Sequence, residues 1–321
     1  MADLIHLQVV APAGLREEVT AYVEDNEAAL NVVVWTGAAR QPHGDVLTFD
    51  VPREAINQIL ADFEEMGVVE HGSITVFHTE LTLSHHAEQA HDDAPGDPVD
   101  TVIWDEVAVT LRAAAVPSMT YVAFYVVAAV IGAVGVLTDS PILIVGAMVV
   151  GPDYAPLASV AFGIHRRDRQ LVKRGAVTFA IGAAVAIGTA ALIALLIRVL
   201  GQTPEPYSLD QRPNTEFITN PDIFTVIVAA AAAVAGMMAL TQQRAGTLVG
   251  VLISVTTVPA MAEIGVQIAF GHAQGIGGAL TQLGLNLACI VTVGSATLAI
   301  LQRASPDLTR PTAPLGIDRL P

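Results

Sequence analysis

Two carboxylates stand in strongly apolar stretches of this 321-residue chain, each beside a proline. Asp153 lies between Pro152 and Pro156, in a run that begins Val145-Gly146-Ala147-Met148. Glu263 follows Pro259 by four residues, in a run that begins Val249-Gly250-Val251-Leu252 and passes through Thr256 and Thr257. The Gly-to-Pro separations in the two runs are ten (156−146) and nine (259−250). Proline removes an N–H and strikes the carbonyl of the preceding turn, so each run should be a broken helix. In a bilayer the freed backbone groups are tolerated only against protein or a water-filled cavity. Carbonyls released at Met148 and Val149 could then coordinate a cation or a solute hydroxyl. A carboxylate at the bilayer centre costs roughly 2.5–3.5 kcal/mol on insertion scales and marks a functional site by default. Two interrupted spans in corresponding halves of a chain point to a solute or ion site near the membrane midplane.

The expected site therefore comprises Asp153, backbone at Gly151 and Pro152, Pro156, Thr256, Thr257, Pro259, Glu263 and Asn286. Each residue has a plainer reading beside this one. The break could merely kink a helix at an interface, with Asp153 reaching water or an arginine. The threonines could bond back to carbonyls four residues earlier. Asn286 could join helices by a hydrogen bond, and Glu263 could lie near the outer interface. Asp139, in the turn Thr138-Asp139-Ser140-Pro141, reads as a cap for the following helix. Cys289 is the only cysteine and sits in an apolar run, so it reads as a small buried hydrophobe. His85, His86 and His91, beside Asp92 and Asp93, could bind a divalent metal, but their spacing fits no closed zinc pattern and a solvated linker accounts for them too. No nucleotide loop, nucleophile–base pair or closed metal signature is visible. Enzyme activity and a bound cofactor are not expected.

Charge is unevenly distributed. Residues 1–118 hold 21 Asp and Glu against 4 Arg, a net of 4−21 = −17, and the remainder holds 11 basic and 10 acidic groups, a net of +1. So acidic a surface repels nucleic acid and anionic lipid. One lysine beside 14 arginines, under so many acids, is the composition expected of an archaeal-like, halophilic protein whose self-repulsion is screened by salt. The N-terminus has no basic region followed by an apolar core, so no cleavable signal is expected.

The elements that must position the site follow from periodicity. Strands are expected over Leu4–Val10, Asn31–Thr36, Val46–Val51 and Ser73–Thr79, and helices over Leu15–Ala28 and Arg53–Met66. This βαββαβ order predicts a ferredoxin-like α+β domain over residues 1–80, an antiparallel sheet with two helices on one face. An acidic linker over 81–101 should lead to an interfacial helix over 102–118, with Trp104, Val107 and Leu111 on one side. A transmembrane domain over 119–303 should hold six spans, near 120–138, 141–163, 175–199, 222–241, 247–270 and 277–302, each about 20 residues. A disordered tail over 304–321 would close the chain. Basic residues crowd the loops after the second, fourth and sixth spans (Arg166, Arg167, Arg169, Lys173, Arg174; Arg244; Arg303, Arg310, Arg319). Only Arg198 and Arg212 fall on the other side. Both termini are thus expected in the cytoplasm. Three spans per half require the second half to enter inverted, so the two breaks would belong to a 3+3 inverted repeat. The Ala/Gly-rich third and fourth spans should pack helix on helix, within or between protomers of a homo-oligomer.

The stretch Gly135–Gly163 (GVLTDSPILIVGAMVVGPDYAPLASVAFG) closely resembles the hallmark of a conserved hydrophobic membrane family, domain of unknown function 389 (DUF389). The resemblance continues through Gly250–Pro259 and Leu283–Leu287 and covers about residues 100–303. Where many members carry an apolar pair, this chain has Asp153-Tyr154, like one acidic branch. The resemblance implies the architecture and no activity. Together these features predict a multi-pass plasma-membrane secondary transporter of a small solute or ion, cation-coupled through Asp153 and regulated by its cytoplasmic domain. The alternatives are a membrane-anchored sensor or scaffold whose N-terminal domain binds a ligand or partner and, third, an ion channel.

Overall fold

The computed structural model describes residues 4–79, 102–209, 211–242 and 257–304. The expected linker, with His85, His86 and His91, lies outside the described residues, as do Thr256 and residues 305–321. The chain is mostly helical and divides into two compact units, one built on residues 1–105 and one on residues 106–301.

In the first unit, β1 (Leu4–Pro12) alternates strictly, burying Ile5, Leu7, Val9 and Ala11. That period of two is what places one face of a strand in a core. It pairs antiparallel with β3 (His43–Pro52) on one side and β4 (Ser73–His78) on the other, and β2 (Leu30–Arg40) closes the order β2-β3-β1-β4. Helix α1 (Arg16–Asp25) contributes Val19 and Val23 to the core, and α2 (Ile56–Glu65) contributes Ile56, Ile59 and Phe63. The expected βαββαβ order is present, with a short α3 (Val68–His71) added before β4. Gly67, at φ +78°, makes the left-handed turn between α2 and α3 that a side chain would strain. Helix α2 starts later than the expected Arg53, and Pro52 stands before it. Pro52 is extended and ends β3, and Arg53–Ala55 form a 3-10 turn before the helix begins.

Val102–Trp104 also depart from expectation. Ile103 joins the core of this unit, and Asn57 Nδ2 donates to the Val102 carbonyl at 3.0 Å. In α4 (Trp104–Ala114) the apolar stripe Trp104, Val107 and Leu111 is buried in protein, not spread on an interface.

Among its described residues the second unit contains four helices long and apolar enough to cross a membrane: α5 (Met119–Leu137), α8 (Arg169–Val199), α10 (Ile223–Thr241) and, over Gly275–Arg303, α12 (Ala273–Ala304). A fifth arises if α6 (Pro141–Val150) and α7 (Tyr154–Arg166), bent by 54° across a three-residue gap, count as one. The remaining apolar helix, α11 (Thr257–Phe270), has 14 described residues, and the chain before it lies outside the described residues. A one-turn helix, α9 (Glu205–Ser208), lies between α8 and α10. Side-chain caps mark several helix starts. Asp168 accepts from Gln170 N and Leu171 N at 3.0 Å, and Asp222 and Thr225 form a reciprocal capping box.

Every residue of α11 from Thr257 to Gln267 is buried, so this helix forms the centre of the unit. Small residues let its neighbours approach. A Cβ on Gly132 of α5 would come within 2.9 Å of Ala262, and one on Gly265 within 2.5 Å of the Ile187 carbonyl of α8. Gly182 of α8 likewise faces the Tyr125 ring of α5, the close packing expected of the Gly/Ala-rich third span.

Phe63 gives a test of the first unit. It is fully buried and meets Tyr22 and Phe49 edge-on, with centroids 5.4 and 6.2 Å away. Phe63→Ala should cost about 3–5 kcal/mol through lost transfer energy and an unfilled cavity. Both tryptophans of the chain, Trp35 and Trp104, lie in this unit. Denaturant unfolding followed by tryptophan fluorescence should show the loss as a lower midpoint.

Candidate functional site

The break between α6 and α7 occupies Gly151-Pro152-Asp153. Helix α7 resumes at Tyr154, which puts Pro156 in its first turn, where a missing N–H leaves no intrahelical bond unmade. The expected clash at Pro156 is thereby avoided, and Pro152 alone interrupts the ladder. Pro156 points its carbonyl at Gly175 of α8, where a Cβ would come within 2.7 Å, and so serves packing. On the other side of the break, a Cβ on Gly151 would strike Val258. This close approach sets the broken segment directly against the described start of α11, where Pro259 is again the third residue.

Asp153 is 3% exposed. Its carboxylate lies beside the backbone N–H groups of Asp153 and Tyr154 without reaching the geometry of a helix cap. Tyr121 and Tyr125 of α5 stand within its electrostatic reach. Two further buried hydroxyls, Thr257 Oγ1 on α11 and Tyr154 Oη, which lies against Gly236 of α10, have no hydrogen-bond partner among the described residues. The break thus joins a buried carboxylate to interrupted backbone, groups that can hold a small hard cation or a proton.

Glu263 is placed differently. It is wholly buried, and Arg212 Nη1 donates to both its oxygens, at 3.0 and 3.2 Å. Gln267 Nε2 donates to Oε1 at 2.5 Å from one helical turn further on. Arg212 also lies over the Tyr207 ring, 4.8 Å from its centroid, and Tyr207 packs on Phe270 with centroids 4.5 Å apart. Glu263 is thus enclosed by protein, because the segment between α8 and α10 folds inward over α11. Asp139 anchors the same segment. It accepts from Asn214 N at 3.2 Å, Asn214 Nδ2 at 2.9 Å and Thr215 Oγ1 at 2.9 Å. It does not cap α6 as expected; Ser140 holds the cap position, and Asp139 itself is in a left-handed conformation at φ +52°. Thr219 backbone then rests against Gly278 of α12, where no side chain would fit.

The residues expected to act together thus fall in three places. Gly151, Pro152, Asp153, Thr257 and Pro259 gather at the break. Glu263 lies six residues beyond Thr257, about 9 Å along the helix at 1.5 Å per residue, and belongs to the Arg212 network. Asn286 is buried beside a separate groove of about 470 Å³ with Gln282, Met148 and Phe217. The earlier reading missed Arg212, Tyr207, Gln267 and Gln282. The signal for two of them was present, since Glu263–Gln267 and Gln282–Asn286 are both i,i+4 pairs on one helix face. Cys289 is buried, as expected. Among the described residues no cluster of three or more His, Cys, Asp or Glu could hold a metal ion.

Removing one partner of a buried pair leaves the other charge unmatched. Arg212→Ala should therefore cost about 3–5 kcal/mol, whereas Arg212→Met combined with Glu263→Gln should recover most of it. Thermal unfolding in detergent would separate these outcomes, because a merely ornamental pair would leave both variants at the wild-type midpoint.

No curated protein and no solved structure matches the chain. Residues 148–292, the stretch that holds Asp153, Arg212, Glu263 and Asn286, match the model of the family described as Domain of unknown function (DUF389), the family whose hallmark the sequence resembles.

Proposed function

We propose that this protein is a multi-pass secondary transporter of a small solute or ion, coupled to a cation through Asp153, and not an enzyme. The observation that carries this reading is a buried carboxylate, without a matching cation or cap among the described residues, in a three-residue helix break held against a second helix at Gly151–Val258. A carboxylate with a fixed partner stays charged and still. One without a partner can take up a proton or Na⁺ and let that event bias which packing of the broken helix is favoured.

The reading includes six spans in a 3+3 inverted repeat. It is supported by the bent pair α6/α7, which can be counted as one broken span. It also includes cytoplasmic termini, supported by the basic residues after α7 and α12, and a ferredoxin-like regulatory domain, supported by the strand order of the first unit. The acidic first unit on a halophilic chain would gain stability as salt screens its charges. Homo-oligomerisation through the Gly/Ala-rich spans completes the proposal, supported by the exposed apolar faces of α8 and α10.

One observation favours the sensor reading instead. Val33, Trp35 and Phe77 are exposed on the sheet face opposite α1 and α2, where a ligand or partner of the first unit could bind.

The two readings part in proteoliposomes on a solid-supported membrane. Rapid pH, Na⁺ and solute jumps should give transient currents in the wild type, and Asp153→Asn should abolish them. Flat traces from both proteins across a broad solute panel would remove the transport reading and turn attention to ligand binding by the first unit.

A further inference from the structure

Between α9 and the start of α12, the second unit encloses a cleft of about 1120 Å³, whose lining includes Tyr207, Gln211, Arg212, Asn220, Gln267 and His272. It is distinct from the Asp153 break, which contributes no lining residue. At its floor is Gln267, 3% exposed. The amide commits Nε2 to Glu263 and leaves Oε1 buried with no hydrogen-bond partner among the described residues. An unmatched buried acceptor is costly, and a bound donor removes that cost. Gly275 makes room for this amide, since a Cβ there would strike it.

Charge decides what the donor belongs to. Arg212 is held by both oxygens of Glu263, and Glu216 on the rim accepts from Asn220 Nδ2 at 3.3 Å. Among the described residues an anion finds no arginine or lysine that is not already matched, and a cation finds only Glu216, exposed at the rim where water screens its charge. An apolar ligand would leave Gln267 Oε1 unsatisfied. The remaining lining offers amides and hydroxyls at Gln211, Asn220 and Tyr207, which pair with groups that both donate and accept.

We propose that this cleft binds a small neutral solute bearing several hydroxyl groups, one of which donates to Gln267 Oε1. The site goes beyond the transport reading and does not rest on it, because occupancy at equilibrium requires no movement across a membrane.

Isothermal titration calorimetry on the full-length protein in detergent tests the proposal. The neutral probes are D-glucose, myo-inositol and glycerol, and the charged ones are D-gluconate and D-glucosamine. At least one neutral probe should bind saturably and more tightly than either charged probe. Gly275→Ala, which displaces the Gln267 amide, should raise its Kd by ~10-fold, the equivalent of one good hydrogen bond. Asn220→Ala, at the exposed rim, should raise it severalfold and serves if Gly275→Ala fails to fold. Tighter binding of D-gluconate or D-glucosamine would overturn the proposal by assigning the cleft to an ion. No saturable heat with any neutral probe would overturn it as well, as would a Kd unchanged in the folded variants.

Discussion

A carboxylate with no access to solvent must be matched where it stands, and Glu263 sets that requirement at the centre of the second unit. Helix α11 is buried along eleven consecutive residues from Thr257 to Gln267, so water cannot supply the match. Arg212 supplies it from a segment distant in sequence, and most of that segment's course follows. The Tyr207 ring, itself packed on Phe270, lies under the guanidinium, Asp139 holds Asn214 and Thr215, and Thr219 seats on Gly278. What sequence alone would draw as a long loop is a structured cover over the central helix, and the polar cleft forms beneath it.

Against that matched pair, the condition of Asp153 is informative. The two carboxylates are comparably buried, yet one accepts three hydrogen bonds from Arg212 and Gln267 and the other has no cation beside it among the described residues. Burial alone therefore does not separate the two acids, and the partner does. A charge fully compensated by fixed donors favours one arrangement of the helices around it. A charge left to interrupted backbone and to tyrosine hydroxyls at longer range retains more than one acceptable state. The close approach of Gly151 to Val258 gives such a change of state a mechanical outlet, because any shift in the broken segment presses on α11.

The close approach of these helices depends on small residues at chosen positions. Gly132, Gly151, Gly182 and Gly265 each face a neighbouring helix at a separation no side chain would allow. In an apolar medium, where burying more hydrocarbon confers little advantage, such contacts are the main source of helix–helix attraction. The first unit is built on the other principle, with alternating strands covering a hydrophobic core that includes Leu7, Phe49 and Phe63.

Periodicity and local chemistry were sufficient for much of this. Alternation in Leu4–Pro12 and the proline pair around Asp153 are short-range signals, so the strands of the first unit, the apolar helices and the position of the first break could be read from the chain. The DUF389 resemblance rested on contiguous motifs and was legible for the same reason. Helix starts at prolines were read less well, because whether Pro52 or Pro156 opens, ends or interrupts an element depends on the backbone conformation that its neighbours impose. The partners of the buried acids were not legible at all. Arg212 lies 51 residues from Glu263, and Asn214 lies 75 from Asp139. No spacing rule links groups so far apart, since their meeting is decided by how helices stack and where a cover segment finds its charge matched. The sequence by itself determined which residues could do chemistry in an apolar unit. Only the tertiary structure decided that Glu263 would be neutralised in place and that Asp153 would meet no countercharge among the described residues, because charge compensation in an interior is settled by packing and not by order along the chain.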